Sequence, residues 1–231
     1  MKSVVRMFFV IMIIASVMGC VGKQAGIEGK VVDGKEQPMS GVKVIAKQVQ
    51  PIKGYEQFET TTGSDGVFKF KGLFPTSEYS IFPWSDKWKT SVRLMVRSGP
   101  EGLTSMLPSP MTVRFTLSSD GIIMDSQLGL QWAPAQDQPI DWFQAQNYAQ
   151  NLSLGGGGWR LPTRSELRSI YNKAMQGGAD PAFHINGRLV WTSETQGNLA
   201  WDFDFDGGIE GPRSRDFSCL NNRVLAVRSW K

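Results

Sequence analysis

The sequence predicts a multi-domain chain. An all-β sandwich over residues 24–118 is followed by an α+β unit over residues 120–231, behind a leader over residues 1–19. Three observations carry this reading. In the first half, short apolar–polar alternations are separated by Asp-Gly and Gly-Ser-Asp-Gly turns, the pattern of an all-β sandwich. The second half sets two helix-start signatures ahead of its strands. The first twenty residues join Lys2 and Arg6 to an apolar run, Phe8 to Val17. That run is shorter than the roughly 20 residues that span a bilayer, and its flanks suit a cleaved export signal.

Val17-Met18-Gly19-Cys20 closes the leader. It resembles the lipobox of bacterial lipoproteins, in which a small residue precedes an invariant Cys. The resemblance implies that Cys20 becomes the first mature residue and carries a diacylglyceryl thioether, often with a further N-acyl chain. At about 0.8 kcal/mol per buried CH₂, two or three chains anchor a protein where one does not. Val21, standing where an inner-membrane retention Asp would be, implies the outer membrane. The expectation is a body lipid-anchored in the bacterial envelope. The chain has two Cys, so acylation of Cys20 leaves Cys219 without a partner. Cys219 reads as a small buried hydrophobe rather than a reactive thiol.

Hydrophobic residues make up 41% and charged residues 20% of the 231, an ordinary globular composition. The formal net charge is +4, and two of its positive charges, Lys2 and Arg6, belong to the leader. Such a balance gives no basis for nucleic-acid binding. Eight Trp and 13 Phe could serve a core or a sugar-stacking surface.

In the first half, Ile27, Gly29 and Val31 alternate with Glu28, Lys30 and Val32. Asp33-Gly34 turns the chain, and Gly41 to Ala46 is the next strand. Thr60 to Thr62 leads into the turn Gly63-Ser64-Asp65-Gly66, after which Phe68 and Phe70 alternate with Lys69 and Lys71. Glu78 to Phe82, Ser91 to Val96 and Met111 to Leu117 complete the strands, with residues 97–110 a long loop before the last. Ile27-x-Gly29-x-Val31-x-Asp33, Gly41-Val42-x-Val44, Thr62-x-x-Asp65-Gly66-x-Phe68-x-Phe70-x-Gly72-Leu73 and Tyr79 together resemble the carboxypeptidase regulatory-like domain. The resemblance implies a transthyretin-like sandwich acting as a spacer, with no catalytic residues.

In the second half, Asp141 and Gln144 form a capping-box pattern. Trp142, Ala145, Tyr148, Ala149 and Leu152 then share a helix face, and the glycines from 155 to 158 end that unit. Thr163-x-x-Glu166 opens a second helix with Leu167, Ile170, Tyr171 and Ala174 as its buried stripe, stopped by Gly177-Gly178. Strands follow at Leu189–Thr192, Leu199–Phe205 and Val224–Ser229. Leu128-Gly129-Leu130-Gln131-Trp132, Gly157-x-Trp159-Arg160-Leu161-Pro162-Thr163-x-x-Glu166-Leu167, Trp191-Thr192-Ser193, Ala200-Trp201 and Val227-Arg228 stand in order. They resemble the Lcl C-terminal domain of bacterial surface proteins. The resemblance implies a C-type-lectin-like α+β fold, and some members are linked to sulfated polysaccharides. It also implies that Ala149 and Ala226, where the family often carries a Cys pair, lie close together.

Four arginines are the candidate ligand-binding residues: Arg213, Arg215 and Arg223 in a Gly/Pro/Asn-bearing stretch, and Arg164 on the second helix with Arg168 four places on. Guanidinium pairs sulfate or carboxylate in a fork, although solvated surface charge is the default reading. Asp202, Asp204 and Asp206 copy the first half of an EF-hand loop. Arg213 stands where its closing Glu belongs, and period two instead points Trp201, Phe203 and Phe205 inward and the three Asp outward. His184 is the only His, and no Walker loop, zincin helix or dinucleotide fingerprint is present. No catalytic residue, metal or cofactor is expected. The expected partners are the membrane, through Cys20, and an acidic polysaccharide. The alternative is a structural lipoprotein that contacts other envelope proteins.

Overall fold

A computed structural model describes residues 24–136, 138–185, 189–218 and 220–230. The leader, Cys20 and Cys219 lie outside the described residues. The fold is mostly β-sheet, arranged as several sheets with few helices. Among the described residues, no helix is long and apolar enough to cross a membrane.

The first half supplies β1 (Ala25–Asp33), β2 (Lys43–Gln48), β3 (Gln57–Thr61), β4 (Val67–Leu73), β5 (Glu78–Trp84), β6 (Trp88–Lys89), β7 (Leu94–Arg97), β8 (Thr104–Met106), β9 (Met111–Val113) and β10 (Phe115–Ser118). One sheet runs β4-β1-β8, with β9 also on β1, and another runs β3-β2-β5-β7. Both feed a single core, in which Ile27, Val31, Phe68 and Phe70 from the first sheet meet Val44, Ala46, Tyr79 and Ile81 from the second. This is the arrangement of a β-sandwich. The alternation in β1 and β4 drives it, because side chains of one parity share a face. Gly66, at φ +76°, closes the turn that carries the chain from β3 in one sheet to β4 in the other, where the sequence suggested a hairpin, and a Cβ there would meet the Val31 carbonyl at 2.5 Å.

The loop expected over residues 97–110 contains β8, which pairs in parallel with Gly26, Ile27 and Glu28 of β1. The strand expected at Met111–Leu117 is two strands. β9 continues the parallel pairing on Val31 to Asp33, whereas β10 turns into a different sheet.

The second half supplies β11 (Ile123–Asp125), β12 (Leu130–Trp132), α1 (Trp142–Asn151), α2 (Arg164–Ile170), β13 (Leu189–Gln196), β14 (Leu199–Asp204), β15 (Ile209–Ser214), β16 (Asn222–Arg223) and β17 (Val227–Ser229). A five-stranded sheet, β17-β12-β11-β10-β6, takes strands from both halves. Phe115 pairs with Asp125, and Leu117 with Ile123. The stretch at 118–121 is therefore a hairpin turn inside one sheet, with the Gly121 amide donating to the Ser118 carbonyl at 3.1 Å. Arg114, between β9 and β10, locks this junction. Its Nε and one terminal nitrogen donate to the two Asp125 carboxylate oxygens at 3.0 and 2.8 Å. Its other terminal nitrogen reaches the Ser169 carbonyl of α2 at 2.8 Å.

The remaining sheet runs β15-β14-β13-β16 and is covered on both sides. Phe203, Phe205 and Val190 pack with Leu167 and Ile170 of α2. Trp191 and Ala200 pack with Trp142, Ala145 and Ala149 of α1, and Ala226 is buried in the same cluster. Both capping boxes form as the sequence predicts. Helix α2 is shorter than its stripe suggested, ending at Ile170 with Tyr171 already extended. The Asn172 side chain takes the Ala174 amide at 3.0 Å, a local bond that competes with helix continuation.

The Trp159-Arg160 block is structural. The Trp159 indole donates to the Leu154 carbonyl at 2.8 Å, and the Arg160 backbone bridges to Val227. Arg228 lies over the Trp159 ring at 4.3 Å and donates to the carbonyls of Leu154, Gly155 and Gly157. The glycine run is thereby clamped. The Arg160 guanidinium grips Glu166 with both terminal nitrogens, at 2.7 and 2.8 Å. Burial pushes the Glu166 carboxyl up, but Arg160 and the Thr163 amide outweigh it and hold the carboxyl below its ordinary range.

Candidate functional site

The four candidate arginines do not converge. Arg164 lies on the α2 side of the β15-β14-β13-β16 sheet, 4.1 Å over the Trp201 ring. Glu194 and Glu210 stand beside it at 3.8 and 3.5 Å, and Arg168 also pairs with Glu210. Two guanidinium groups face two carboxylates, so their charges cancel locally. Arg223 is on β16, at the opposite edge of the sheet from β15. It donates to the carbonyls of Leu220 and Asn222 at 2.7 and 3.1 Å, which ties down its own turn.

Arg213 and Arg215 sit together at the end of β15. The sequence read this segment as a loop because Gly211 and Pro212 interrupt any strand pattern. It is an edge strand, paired with β14 from Leu199 to Asp204. Pro212 is tolerated there because an edge has no further neighbour to receive its missing N–H.

Arg213 pairs with Asp202. The period-two reading is correct in placing Asp202 on the face opposite Phe203, yet wrong in calling it outward. That face is also covered, by α1 and Trp191, and Asp202 is 1% exposed. Burial raises the Asp202 carboxyl above its ordinary range, Arg213 offsets part of the rise, and Asp204 adds to it. The Asp202-Asp204-Asp206 run is thus split. Asp202 is committed to Arg213, and the Asp204 carboxylate accepts the Asp206 amide at 2.9 Å in the β14–β15 turn. Among the described residues, no group of three or more His, Cys, Asp or Glu is placed to hold a metal ion. His184 caps a short 3₁₀ turn in the left-handed region, its amide bonded to the Pro181 carbonyl.

Among the described residues Arg215, like Arg223, has no carboxylate partner, and it differs from Arg223 in its aromatic seat. Its guanidinium carbon lies 5.4 Å from the Trp142 ring centre and 5.3 Å from that of Phe143. The two rings meet edge to face at 5.5 Å. One terminal nitrogen donates to the Gly197 carbonyl, and Nε is buried without a hydrogen-bond partner. Among the described residues it forms no ion pair with a carboxylate. Neutral groups therefore fix this cation and leave its charge uncompensated. The first turn of α1 builds the seat. The Asp141 cap sets the helix start, the Trp142 amide donates to the Arg215 carbonyl at 3.1 Å, and the Trp142 indole donates to Thr192. Phe143 is 53% exposed and Phe217, 5.7 Å from Arg213, is 40% exposed. A planar cation set between the buried Trp142 ring and the exposed Phe143 ring suits an anionic group carried on an apolar or sugar face. Phe143 falls off the apolar stripe of α1, so no pattern in the chain marks it.

Residues 121–228 match the family model of the Lcl C-terminal domain. No curated protein matches the chain. Among solved structures, a streptococcal ancillary pilin aligns at 17% identity over 40% of this chain, with a TM-score of 0.29. The chain covers 30% of the length of that pilin.

Proposed function

We propose that this chain is a bacterial envelope lipoprotein, anchored through Cys20, whose second half binds an acidic or sulfated polysaccharide without catalysis. On this reading the second half has a C-type-lectin-like fold. The first half is a carboxypeptidase regulatory-like, transthyretin-like sandwich that spaces it from the outer membrane. The observation that carries the binding role is Arg215, a fixed guanidinium with no carboxylate partner, set between Trp142 and the exposed ring of Phe143. A sulfate or uronate would take the terminal N–H groups of this guanidinium, and the exposed Phe143 ring offers a sugar-stacking surface.

A glycan-array screen of the protein at two salt concentrations, with and without calcium, tests this. Selective binding to sulfated or uronic-acid glycans, weakened by salt and indifferent to calcium, is the expected result. Calcium-dependent binding would move the site to Asp204 and Asp206, and a negative screen with folded protein would sink the reading. The anchor is tested separately. Cys20→Ala is expected to release the protein into the soluble envelope fraction or to block its processing, and an unchanged membrane fraction would refute it.

A further inference from the structure

A cavity away from Arg215 lies where the two halves meet. We propose that it binds an aryl carboxylate, a flat apolar body carrying one negative charge. The pocket encloses about 590 Å³, within the roughly 300–1,000 Å³ usual for small-molecule sites. It opens on the face of the five-stranded sheet that carries Thr116 and Met124, opposite the face on which Ile123, Leu130 and Trp132 enter the α2-side core. Trp88, Met39 and Val113 of the first half form one side, and Met124, Gly129 and Trp230 of the second form the other. The walls are held in place. Trp88 pairs with Ser118 in the sheet, and the Trp230 amide donates to the Gly129 carbonyl at 2.9 Å. The Ser126 hydroxyl accepts from the Gly34 amide and bonds the Arg114 carbonyl, both at 2.9 Å, which fixes the floor.

Two indole walls and two thioethers favour a flat aromatic guest. The charged groups of the lining determine its sign. Lys35 and Lys87 stand at the rim, exposed, and among the described residues neither is engaged in an ion pair. Arg114 is committed to Asp125. Asp33 is the carboxylate of the lining, and one of its oxygens already accepts the Lys35 and Gln37 amides at 2.8 and 2.9 Å. Two free ammonium groups over an apolar floor select an anion with an apolar body.

The test is calorimetric titration of the full chain with 1-naphthaleneacetate, beside the uncharged 1-naphthaleneethanol. Saturable binding of the acid with a Kd below about 1 mM is expected, with the alcohol binding about tenfold more weakly. A Lys35→Glu/Lys87→Glu variant, altered only at exposed positions, should lose about tenfold in affinity for the acid. Met124→Trp, which fills the pocket, should abolish binding. Absence of saturable binding to the unaltered chain overturns the proposal. So does equal affinity for the alcohol, or unchanged affinity in the lysine variant with its unfolding midpoint preserved.

Discussion

Replacing Arg114 with alanine is expected to destabilise the chain by about 3–5 kcal/mol, the usual cost of removing one partner of a buried ion pair. Asp125 is fully buried, and Arg114 is its bidentate partner. Without the guanidinium, the carboxylate keeps only the Gln127 and Leu128 amides, at 3.0 and 3.3 Å. At roughly 2–4 °C per kcal/mol for a chain of this size, the thermal midpoint should fall by about 6–20 °C. The paired replacement Arg114→Met/Asp125→Leu should recover most of the loss, because it removes the buried charge as well as its partner. Denaturant unfolding of the three variants reads this directly. A loss under about 1 kcal/mol in the single variant would mean that water reaches Asp125. Arg114 also holds the Ser169 carbonyl, so the single variant should loosen α2 from the sheet shared by the two halves.

Arg213→Ala should be the next most damaging change, toward the lower end of about 3–5 kcal/mol, since Arg213 is itself 39% exposed. Asp202 is left buried with its main offset gone. Its carboxyl is already raised by burial, so the folded chain holds a proton there at pH values where the unfolded chain has released it. Stability from this group is therefore greatest below the ordinary carboxylate value and is lost as pH rises through the raised one. Loss of Arg213 moves that value further up. The variant should accordingly be weakest at neutral and alkaline pH and recover in mild acid. Adding Asp202→Asn should rescue it at pH 7. Urea midpoints across pH would expose a flat difference between variant and parent, which would contradict the pairing. It follows that an Arg213/Arg215 double variant is a poor probe of ligand binding, because loss of fold and loss of site would be confounded.

Local chemistry was well marked in the sequence and tertiary register was not. Asp141/Gln144 and Thr163/Glu166 announce their helices because capping bonds span three residues. Phe68 and Phe70 announce a core strand because parity alone sets their face. Arg114 gives no local sign of its role. It lies between two short strands, and its partners are 11 and 55 residues away. Asp202 shows the same limit. Alternation assigns it to the face opposite Phe203, but only the packing of α1 makes that face interior. The arginines were the least legible. Arg164, Arg213, Arg215 and Arg223 look alike in composition, and they separate only once Glu194, Glu210 and Asp202 have been placed against two of them.

That separation gives the most direct measurement of the binding role. Affinity for heparin is measured against salt for the unaltered protein, Arg215→Ala and Arg164→Ala, each checked for an unchanged unfolding midpoint. Loss of Arg215 should weaken binding about tenfold or more, the roughly 1.5–3 kcal/mol of a hydrogen bond to a charged group, and should flatten the salt dependence. Loss of Arg164, whose charge Glu194 and Glu210 already balance, should leave both nearly unchanged. Equal losses in the two variants, or none in Arg215→Ala, would contradict a site built on the uncompensated guanidinium between Trp142 and Phe143.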